Sequence, residues 1–447
     1  MLRITTAGGA AGATILAAGL GVAASTGAGA LAVAGDALGT VREPGFVIET
    51  VAEGFIEPTA IEFAPDGRLF VAERDGAVRI VRDGRPLDPP FAKIEVFTPN
   101  ENGLLGMALD PAFHETGLVF VFATVSPSET QILRLREGRG ADGRPTGVAD
   151  DVHAIRDGLP TRGAFHSGGG LRFGPDGMLY FSIGDNLIAE NAQDLSTLAG
   201  KISRIAPDGS TPADNPLRTP TGSPRAIYAS GLRNVFRFCF APDGRLFAMD
   251  VGSDGAGRRE EINLIKPGAN YGWPHVEGRQ GLLRDARFTD PIHDYHEGGA
   301  APVGAVVYSG GTFPIEYDGN LLYLEYVLNR LYRLELSGDS VKRHSLFAEL
   351  AGGPVDLTVG PHDGALYYCE LASGAIRRIR PLTPRVQGAG DDIDAAGTDS
   401  DDDGNSGAVG FGAAPCGLGA GLTLLALPLM RSRRPALRRG PAAIRWN

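Results

Sequence analysis

FAPDGRLFVAERDGAVRIV, from Phe63 to Val81, contains the pattern that decides the fold. Short apolar runs alternate with turn-forming residues, so it reads as strand, Pro-Asp-Gly turn, strand, polar turn, strand. The same order returns in FGPDGMLYFSIGD from Phe173, FAPDGRLFAMDVG from Phe240 and VGPHDGALYYCELASGAIRRI from Val359. The chain is therefore built from repeats of one antiparallel unit.

Two degenerate copies, LDPAFHETGLVFVFAT from Leu109 and YSGGTFPIEYDGNLLYLEYVLNRLYRLEL from Tyr308, bring the number of units to six. Each unit alone would expose an apolar sheet face, so the units must stack on one another. No stretch has the pattern of a long amphipathic helix. We predict an all-β fold, a six-bladed β-propeller of four-stranded antiparallel blades over residues 44–383, with a sandwich or a solenoid as the alternative.

Composition narrows the class of function. The chain has 447 residues and a formal net charge of −11, although six arginines crowd into residues 431–445. An acidic body of this kind argues against a nucleic-acid partner. Cys239 and Cys369 lie inside apolar strand patterns, which predicts buried free thiols.

Both ends of the chain have the composition of targeting signals. Residues 1–35 are small and apolar after Arg3, which predicts a signal peptide, with an uncleaved membrane helix as the alternative. Residues 384–412 form an acidic Gly, Asp and Ser linker, and residues 413–447 contain Cys416, an apolar run and an arginine cluster. This tail resembles C-terminal sorting tails of the myxobacterial type. We expect export to the periplasm, cell surface or medium, with membrane contact through the tail before or without processing.

The second repeat follows a histidine and three glycines, FHSGGG from Phe165. His166 and Asp185, which ends the hairpin, are candidates for a general base and its orienting carboxylate, since glycines would let a flat ligand approach the backbone. The alternative is a glycine bulge with a turn histidine and a capping aspartate.

Two further segments carry candidate ligand-binding groups. Arg233 and Asn234 offer a planar cation and an amide, unless Arg233 serves an ion pair between blades. Glu260 and Glu261 precede an apolar strand and offer the oxygen ligands that calcium prefers, unless both are merely solvated.

Four motifs, in order, carry a family resemblance: GLLGMALDPAF from Gly103, HSGGGLRFGPDGMLYFSIGD from His166, GLRNVFRFCFAPDG from Gly231 and EEINLIKPGANYGWP from Glu260. Over roughly residues 46–381 the chain resembles the glucose/sorbosone dehydrogenase family, quinoproteins that use pyrroloquinoline quinone (PQQ). The resemblance implies a PQQ-dependent sugar dehydrogenase that oxidises an aldose at its anomeric carbon, with an electron acceptor that the sequence does not identify.

The resemblance also implies roles for individual residues. His166 would take the sugar hydroxyl proton, Asp185 would orient the histidine, and Arg233 with Asn234 would hold the quinone carbonyl that receives the hydride. Glu101 would lie against the cofactor.

Calcium is implied by the same resemblance. Backbone carbonyls around Gly252 and Ser253 would present the ion to the cofactor. Glu261 and Tyr271 match a structural calcium site.

The chain departs from the family where the cofactor's carboxylates are neutralised. Val327 stands at a usual lysine, and Gly353 and Val355 stand at two usual arginines, with only Asp356 retained. Glu101 adds negative charge at a position that is usually glutamine or another polar residue. Either Arg330 or Arg333 substitutes, or PQQ binds weakly or not at all. A non-catalytic surface propeller that binds carbohydrate or a protein is therefore the second hypothesis.

Overall fold

The computed structural model describes residues 38–385 except positions 224 and 256. The predicted signal peptide, the C-terminal tail and nearly all of the acidic linker lie outside these residues. None of the helices in the described residues is long and apolar enough to cross a membrane.

Six antiparallel sheets surround a central channel and confirm the predicted six-bladed β-propeller. Strands are numbered in chain order and each blade is given from its innermost strand outward. Blade 1 holds β3 (Pro58–Phe63), β4 (Leu69–Glu73) and β5 (Ala77–Arg82), with the short β6 (Arg85–Pro86) and β7 (Ala92–Lys93) both pairing with β5. Blade 2 holds β8 (Leu104–Leu109), β9 (Leu118–Ser126), β10 (Glu129–Arg139) and β11 (Pro145–Pro160). Blade 3 holds β12 (Leu171–Phe173), β13 (Leu179–Ile183), β14 (Lys201–Ile205) and β15 (Ile227–Ser230).

The second half of the ring follows the same plan. Blade 4 holds β16 (Val235–Phe240), β17 (Leu246–Asp250), β18 (Glu260–Ile265) and β19 (His293–Tyr295). Blade 5 holds β20 (Pro302–Val307), β21 (Leu321–Glu325), β22 (Arg330–Ser337), β23 (Ser340–Glu349) and a fifth strand, β1 (Thr40–Val41). Blade 6 holds β24 (Pro354–Val359), β25 (Leu366–Glu370), β26 (Ala375–Pro381) and β2 (Phe46–Glu53). Within the described residues, helix is confined to α1 (Phe113–Thr116) and the 3₁₀ turns Ala189–Ala192 and Ile315–Tyr317.

Blade 6 closes the ring with strands from both ends of the propeller sequence. Strand β2 pairs antiparallel with β26, in a register that sets Phe46 opposite Pro381 and Glu53 opposite Ala375. Glu49 of β2 accepts hydrogen bonds from Arg378 (2.6 Å) and Arg380 (2.5 Å) of β26. The closing pair is thus held by charged groups as well as by the sheet ladder.

The Pro-Asp-Gly turns form by local hydrogen bonding. In blade 1, Asp66 Oδ1 accepts the N–H of Arg68 at 3.1 Å, and Gly67 supplies the left-handed backbone with φ of 86°. Asp176 and Asp243 make the same contact two residues ahead. The apolar strand residues pack between blades, and Cys239 and Cys369 are buried there as free thiols, as predicted.

A buried ion network crosses the channel. Asp356 of β24 accepts hydrogen bonds from Arg172 of β12 at 3.1 Å and lies 3.3 Å from Arg237 Nε of β16. Arg237 also donates to the carbonyls of Thr59, Leu105 and Gly169. Because these partners belong to blades 1, 2, 3 and 6, one guanidinium ties most of the ring together.

One end of the channel gathers the candidate residues. In each blade the innermost strand begins at one end of the channel, and the antiparallel second strand ends there. We call this end of the channel the site end. His166 precedes β12, Asp185 follows β13, Arg233 precedes β16 and Ser253 follows β17. The fold therefore brings residues from separate repeats to one place.

Candidate active site

His166 and Asp185 form a hydrogen-bonded dyad. His166 Nδ1 lies 2.6 Å from Asp185 Oδ1, and their side chains are 12% and 2% exposed. Burial alone would raise the pKa of Asp185, but the hydrogen bond and charge of His166, with a hydrogen bond from Trp273, lower it below its ordinary value. An ionised Asp185 keeps the proton of His166 on Nδ1, so that Nε2 is the basic nitrogen.

The three glycines after His166 lie where a side chain would collide with blade 3 itself or with its two neighbouring blades. A Cβ at Gly168 would lie 2.5 Å from the Ser182 carbonyl, and one at Gly169 would lie 2.7 Å from Leu105 of the neighbouring blade. At Gly170 it would collide with the Phe238 ring at 2.7 Å. The close approach of blades 2, 3 and 4 accounts for these glycines, and access for a flat ligand stays a prediction.

His166 itself has a backbone φ of 62°. Non-glycine residues rarely adopt this left-handed conformation, which costs about 1–3 kcal/mol unless the surroundings impose it. Glu101 Oε2 accepts the His166 backbone N–H at 2.7 Å. The predicted cofactor residue Glu101 thus contacts the base's own peptide group.

Arg233 lies beside the dyad with a largely buried guanidinium. Its Nη1 donates to the Val251 carbonyl at 3.1 Å, and its guanidinium carbon lies 5.5 Å from the centre of the Trp273 ring. Its carboxylate neighbour Asp254, at 3.8 Å and 84% exposed, belongs to the next turn of the same blade. The alternative of an ion pair between blades is therefore wrong.

Asn234 supports the turn that follows His166. Its Oδ1 accepts the N–H of Gly168 at 3.2 Å, and its own N–H donates to Asp250 at 2.6 Å. Asp250 also accepts the Arg233 N–H, and burial raises the pKa of this carboxyl to about 7. The predicted quinone-binding role of Asn234 stays a prediction.

Trp273 is a site residue that the sequence did not reveal. Its Nε1–H donates to Asp185 Oδ2 at 2.9 Å, so both oxygens of that carboxylate are held. Trp273 lies in the long connection between β18 and β19 of blade 4. The signal in the sequence is the tryptophan of the family motif YGWP, whose partner lies 88 residues away.

The segment predicted to present calcium is held by two glutamates. Gly252 donates its N–H to Glu260 at 2.8 Å, and Ser253 donates its N–H and hydroxyl to Glu277 at 2.6 and 2.8 Å. These bonds use N–H groups and leave the carbonyls of Gly252 and Ser253 for another ligand.

Glu261 and Tyr271, the predicted structural calcium ligands, already have protein partners. Glu261 accepts from Gly278 N at 2.5 Å and Asn263 Nδ2 at 3.0 Å, and burial raises its pKa to about 8. The Tyr271 hydroxyl donates to the Leu264 carbonyl at 2.7 Å and accepts from Lys266 N at 2.9 Å. Glu260 and Glu261 are buried, so the solvated alternative is wrong. Within residues 38–385 as described, no group of three or more carboxylate, imidazole or thiol side chains is arranged to hold a metal.

The positions that depart from the family have three different surroundings. Val327 lies exposed in the turn after β21, at the site end. Gly353 has a φ of 69°, and a Cβ there would lie 3.0 Å from the Tyr326 ring. Val355 is buried in the core with Ile61 and Cys369. Tyr326 therefore occupies the space next to Gly353.

Neither of the proposed substitute cations is free. Arg330 donates to Glu297 at 2.7 Å and to the Tyr332 hydroxyl at 2.8 Å. Arg333 donates to Asn320 and to the Glu316 carbonyl, which follow the opposite end of β20. The structure places Arg333 away from the site end.

Charge near Tyr326 comes from blades 1 and 2. Burial raises the pKa of Tyr326, and its charged neighbours are Glu57, Arg74 and Glu101. Arg74 donates twice to Glu57 Oε2, at 2.9 and 2.7 Å, and also to the carbonyls of Thr98 and Asn100. Near Tyr326, the site end therefore carries the carboxylates of Glu57 and Glu101 and the Arg74 cation, which is paired with Glu57.

Comparison with known proteins gives consistent matches. Residues 55–378 match the family model described as Glucose / Sorbosone dehydrogenase. An uncharacterized protein of Synechocystis is 30% identical over 370 residues, which cover 76% of this chain and 87% of that protein. The aldose sugar dehydrogenase YliI of Escherichia coli is 26% identical over 351 residues, covering 75% of this chain and 92% of that protein. The PQQ-bound aldose sugar dehydrogenase of Streptomyces coelicolor is similar in structure, with a TM-score of 0.64, 28% identity and coverage of 75% and 98% of the two chains.

Proposed function

The chain belongs to the glucose/sorbosone dehydrogenase family, and on that premise we propose that it oxidises an aldose at the anomeric carbon with PQQ as cofactor. The observation that carries the proposal is the 2.6 Å contact between His166 Nδ1 and Asp185 Oδ1, in which Asp185 is also bound by Trp273, the residue whose ring contacts the Arg233 guanidinium. The relatives named as aldose sugar dehydrogenases, one of them PQQ-bound, support the substrate class.

The donor set fits the quinone part of the cofactor. A quinone carbonyl that gains negative charge is stabilised by a positioned cation, and Arg233 is a cation fixed by Val251 and Trp273. Arg233 and Asn234 would hold this part, with the carbonyls of Gly252 and Ser253 facing calcium. When bound, PQQ supplies the hydride acceptor, which no amino-acid side chain can provide.

The chain's own residues handle the proton. His166 Nε2 accepts the proton of the anomeric hydroxyl, since Nδ1 holds its proton against Asp185. The imidazolium that results is stabilised by the Asp185 carboxylate, which Trp273 keeps in place. General-base catalysis of this kind contributes about 10²–10⁴-fold to the rate.

The test is a dye-coupled aldose oxidation assay on protein loaded with PQQ and calcium. His166→Ala should lower kcat by about 10²–10⁴-fold and leave the melting temperature unchanged, because the side chain is a base rather than a core residue. Glu115→Ala, a change at a glutamate of α1 that is 73% exposed and lies away from the site end, serves as the control. Activity in His166→Ala equal to the parent would rule out the base assignment.

Calcium and export belong to the same proposal. Asp250 of β17 lies opposite Glu261 of β18 at the site end of blade 4, and a calcium ion bound nearby would offset the charge of these buried acids. Sugar oxidation outside the cytoplasm would suit the predicted signal peptide, with the protein in the periplasm, at the cell surface or in the medium. The electron acceptor is left open.

A non-catalytic carbohydrate- or protein-binding propeller is the second candidate. The observation that favours it is the Tyr326 ring beside Gly353, together with Arg74 paired to Glu57, because a tricarboxylate finds no free cation among these residues. Calorimetric titration of the protein with PQQ in calcium separates the two. Measurable binding supports the enzyme, and absence of binding heat at high cofactor concentration supports the binding module.

A further inference from the structure

The backbone of His166 is shaped by a loop of the neighbouring blade. His166 lies in the segment that joins β11 to β12, and its φ of 62° turns the chain sharply into the glycine run. The facing loop is residues 98–102, which precedes β8 of blade 2. Contacts between these two segments decide where the imidazole can lie.

Three consecutive side chains of the facing loop bind the His166 segment. Asn100 Nδ2 donates to the Gly163 carbonyl at 3.2 Å, before the histidine. Glu101 Oε2 accepts the His166 N–H at 2.7 Å. These two hydrogen bonds join the facing loop to the His166 segment at positions 163 and 166.

Asn102 completes this arrangement and is fully buried. Its Nδ2 donates to the carbonyls of Pro99 at 2.8 Å and Ala164 at 3.0 Å. Its Oδ1 accepts from the Ser167 hydroxyl at 3.1 Å. Residues on both sides of His166 are thus fixed, and at His166 itself Glu101 holds the backbone N–H while Asp185 holds the imidazole.

We propose that Glu101 is a positioning residue for His166, acting as the hydrogen-bond acceptor that holds the histidine backbone in its left-handed conformation so that Nδ1 meets Asp185. This inference rests on the proposed function for its kinetic consequence. It assigns Glu101 a task that a neutral glutamine could also perform, because an amide oxygen accepts an N–H as a carboxylate does. The charge of Glu101 is then not the property that matters.

The experiment compares Glu101→Ala, Glu101→Gln and the control Glu115→Ala in the full chain labelled with ¹⁵N-histidine. The chain has eight histidines, and the signal of His166 is assigned by its absence in His166→Ala. The ring ¹⁵N shifts, read through the non-exchanging ring protons, report the tautomer. We expect the Nδ1-protonated form in the parent, in Glu101→Gln and in Glu115→Ala, and a mixture of tautomers in Glu101→Ala.

Kinetics supply a second readout on protein loaded with PQQ and calcium. Glu101→Ala should lower kcat by up to about 10²-fold with little change in KM, as expected when a reacting group is misplaced by about 1 Å. A parent-like tautomer in Glu101→Ala would overturn the inference. So would a Glu101→Gln protein that behaves like the alanine variant, because the charge would then be essential.

The two proposals fail in different ways. If the parent protein oxidises no aldose but Glu101→Ala loses the Nδ1-protonated tautomer of His166, the positioning role of Glu101 is supported and the proposed sugar oxidation is ruled out. If the parent is active and the His166 tautomer is the same in every variant at residue 101, the proposed sugar oxidation is supported and the positioning role of Glu101 is ruled out.

Discussion

At the scale of single residues, the Asp185 carboxylate receives three donors. His166 Nδ1 and the Leu187 N–H meet Oδ1, and Trp273 Nε1 meets Oδ2. A carboxylate held on both oxygens cannot rotate away from the imidazole. Its negative charge is kept in a largely buried place, where it orients the base without competing for the substrate's proton.

Trp273→Phe tests this arrangement. The phenyl ring still covers Arg233, but Asp185 loses one donor, and a hydrogen bond to a charged group contributes about 1.5–3 kcal/mol. We expect kcat to fall roughly 10-fold, which corresponds to a loss of about 1.4 kcal/mol of transition-state stabilisation from this hydrogen bond. The pKa of Asp185 should rise, so the acid limb of the pH–rate profile should move to higher pH. A variant with the parent's rate across the whole pH range would contradict the role given to Trp273.

Prediction from sequence worked where the contact is local. His166 and Asp185 flank one hairpin, 19 residues apart, so the repeat itself indicates that they meet. Trp273 and Asn102 act on partners in neighbouring blades, and no local pattern relates tryptophan to an aspartate 88 positions earlier. Asp356 was assigned with the cofactor-binding motif, yet it is buried against Arg172 and Arg237, because its strand lines the channel.

At the scale of elements, charged groups lie on the closing pair β2 and β26 and at the start of β18. Glu49 lies across the closing pair, where the hydrogen bonds from Arg380 and Arg378 lower its pKa from 4.5 to about 2. The β18 strand begins with two buried glutamates. We therefore expect a response to acid from the closing pair and test β18 for a response to metal.

Glu49→Gln tests the closing pair. A carboxyl whose folded pKa is depressed stabilises the folded state above its ordinary pKa of 4.5, and this contribution is lost as the pH falls toward about 2. The pair is partly solvated, so we expect a loss of about 1 kcal/mol or less in unfolding free energy at pH 7. The difference between variant and parent should vanish near pH 2. Glu115→Gln, at a site 73% exposed, is the control in urea titrations at each pH; a pH-independent difference for residue 49 would contradict the assignment.

Calcium is tested on the β18 region. Ligands that bind only the folded state raise its stability by mass action. The melting temperature should rise with added calcium and fall with chelator, and Glu261→Gln should remove this response. Scanning calorimetry, combined with metal analysis, measures both effects. A melting temperature that does not change with calcium, in a protein that contains no bound metal, would contradict the calcium site.

At the scale of the whole molecule, the ring depends on the ion network in its channel. Arg237 and Asp356 are each almost completely buried, and their bonds join strands from five blades. Most of the repeat signal in the sequence concerns hairpins within blades. The network that unites the blades uses single residues scattered among the repeats, and for that reason sequence alone did not identify it.

Asp356→Asn tests the network. Removing one partner leaves buried arginine charges uncompensated, which costs about 3–5 kcal/mol in unfolding free energy. Urea denaturation should show this loss, while Asp243→Asn, at an exposed turn that pairs with Arg245, should change stability by less than about 1 kcal/mol. Equal stability of the two variants would show that the network is dispensable.

The pairing of β2 with β26 also has a consequence for synthesis. Glu49 and Arg378 meet although they are 329 positions apart, and at 5–20 residues per second a ribosome needs roughly 15–65 s to cover that distance. During this interval the nascent chain holds a strand whose backbone edge, from Phe46 to Glu53, lacks the partner strand β26. A polypeptide released early, before residue 375, keeps that open edge permanently and becomes a target for proteases and for aggregation.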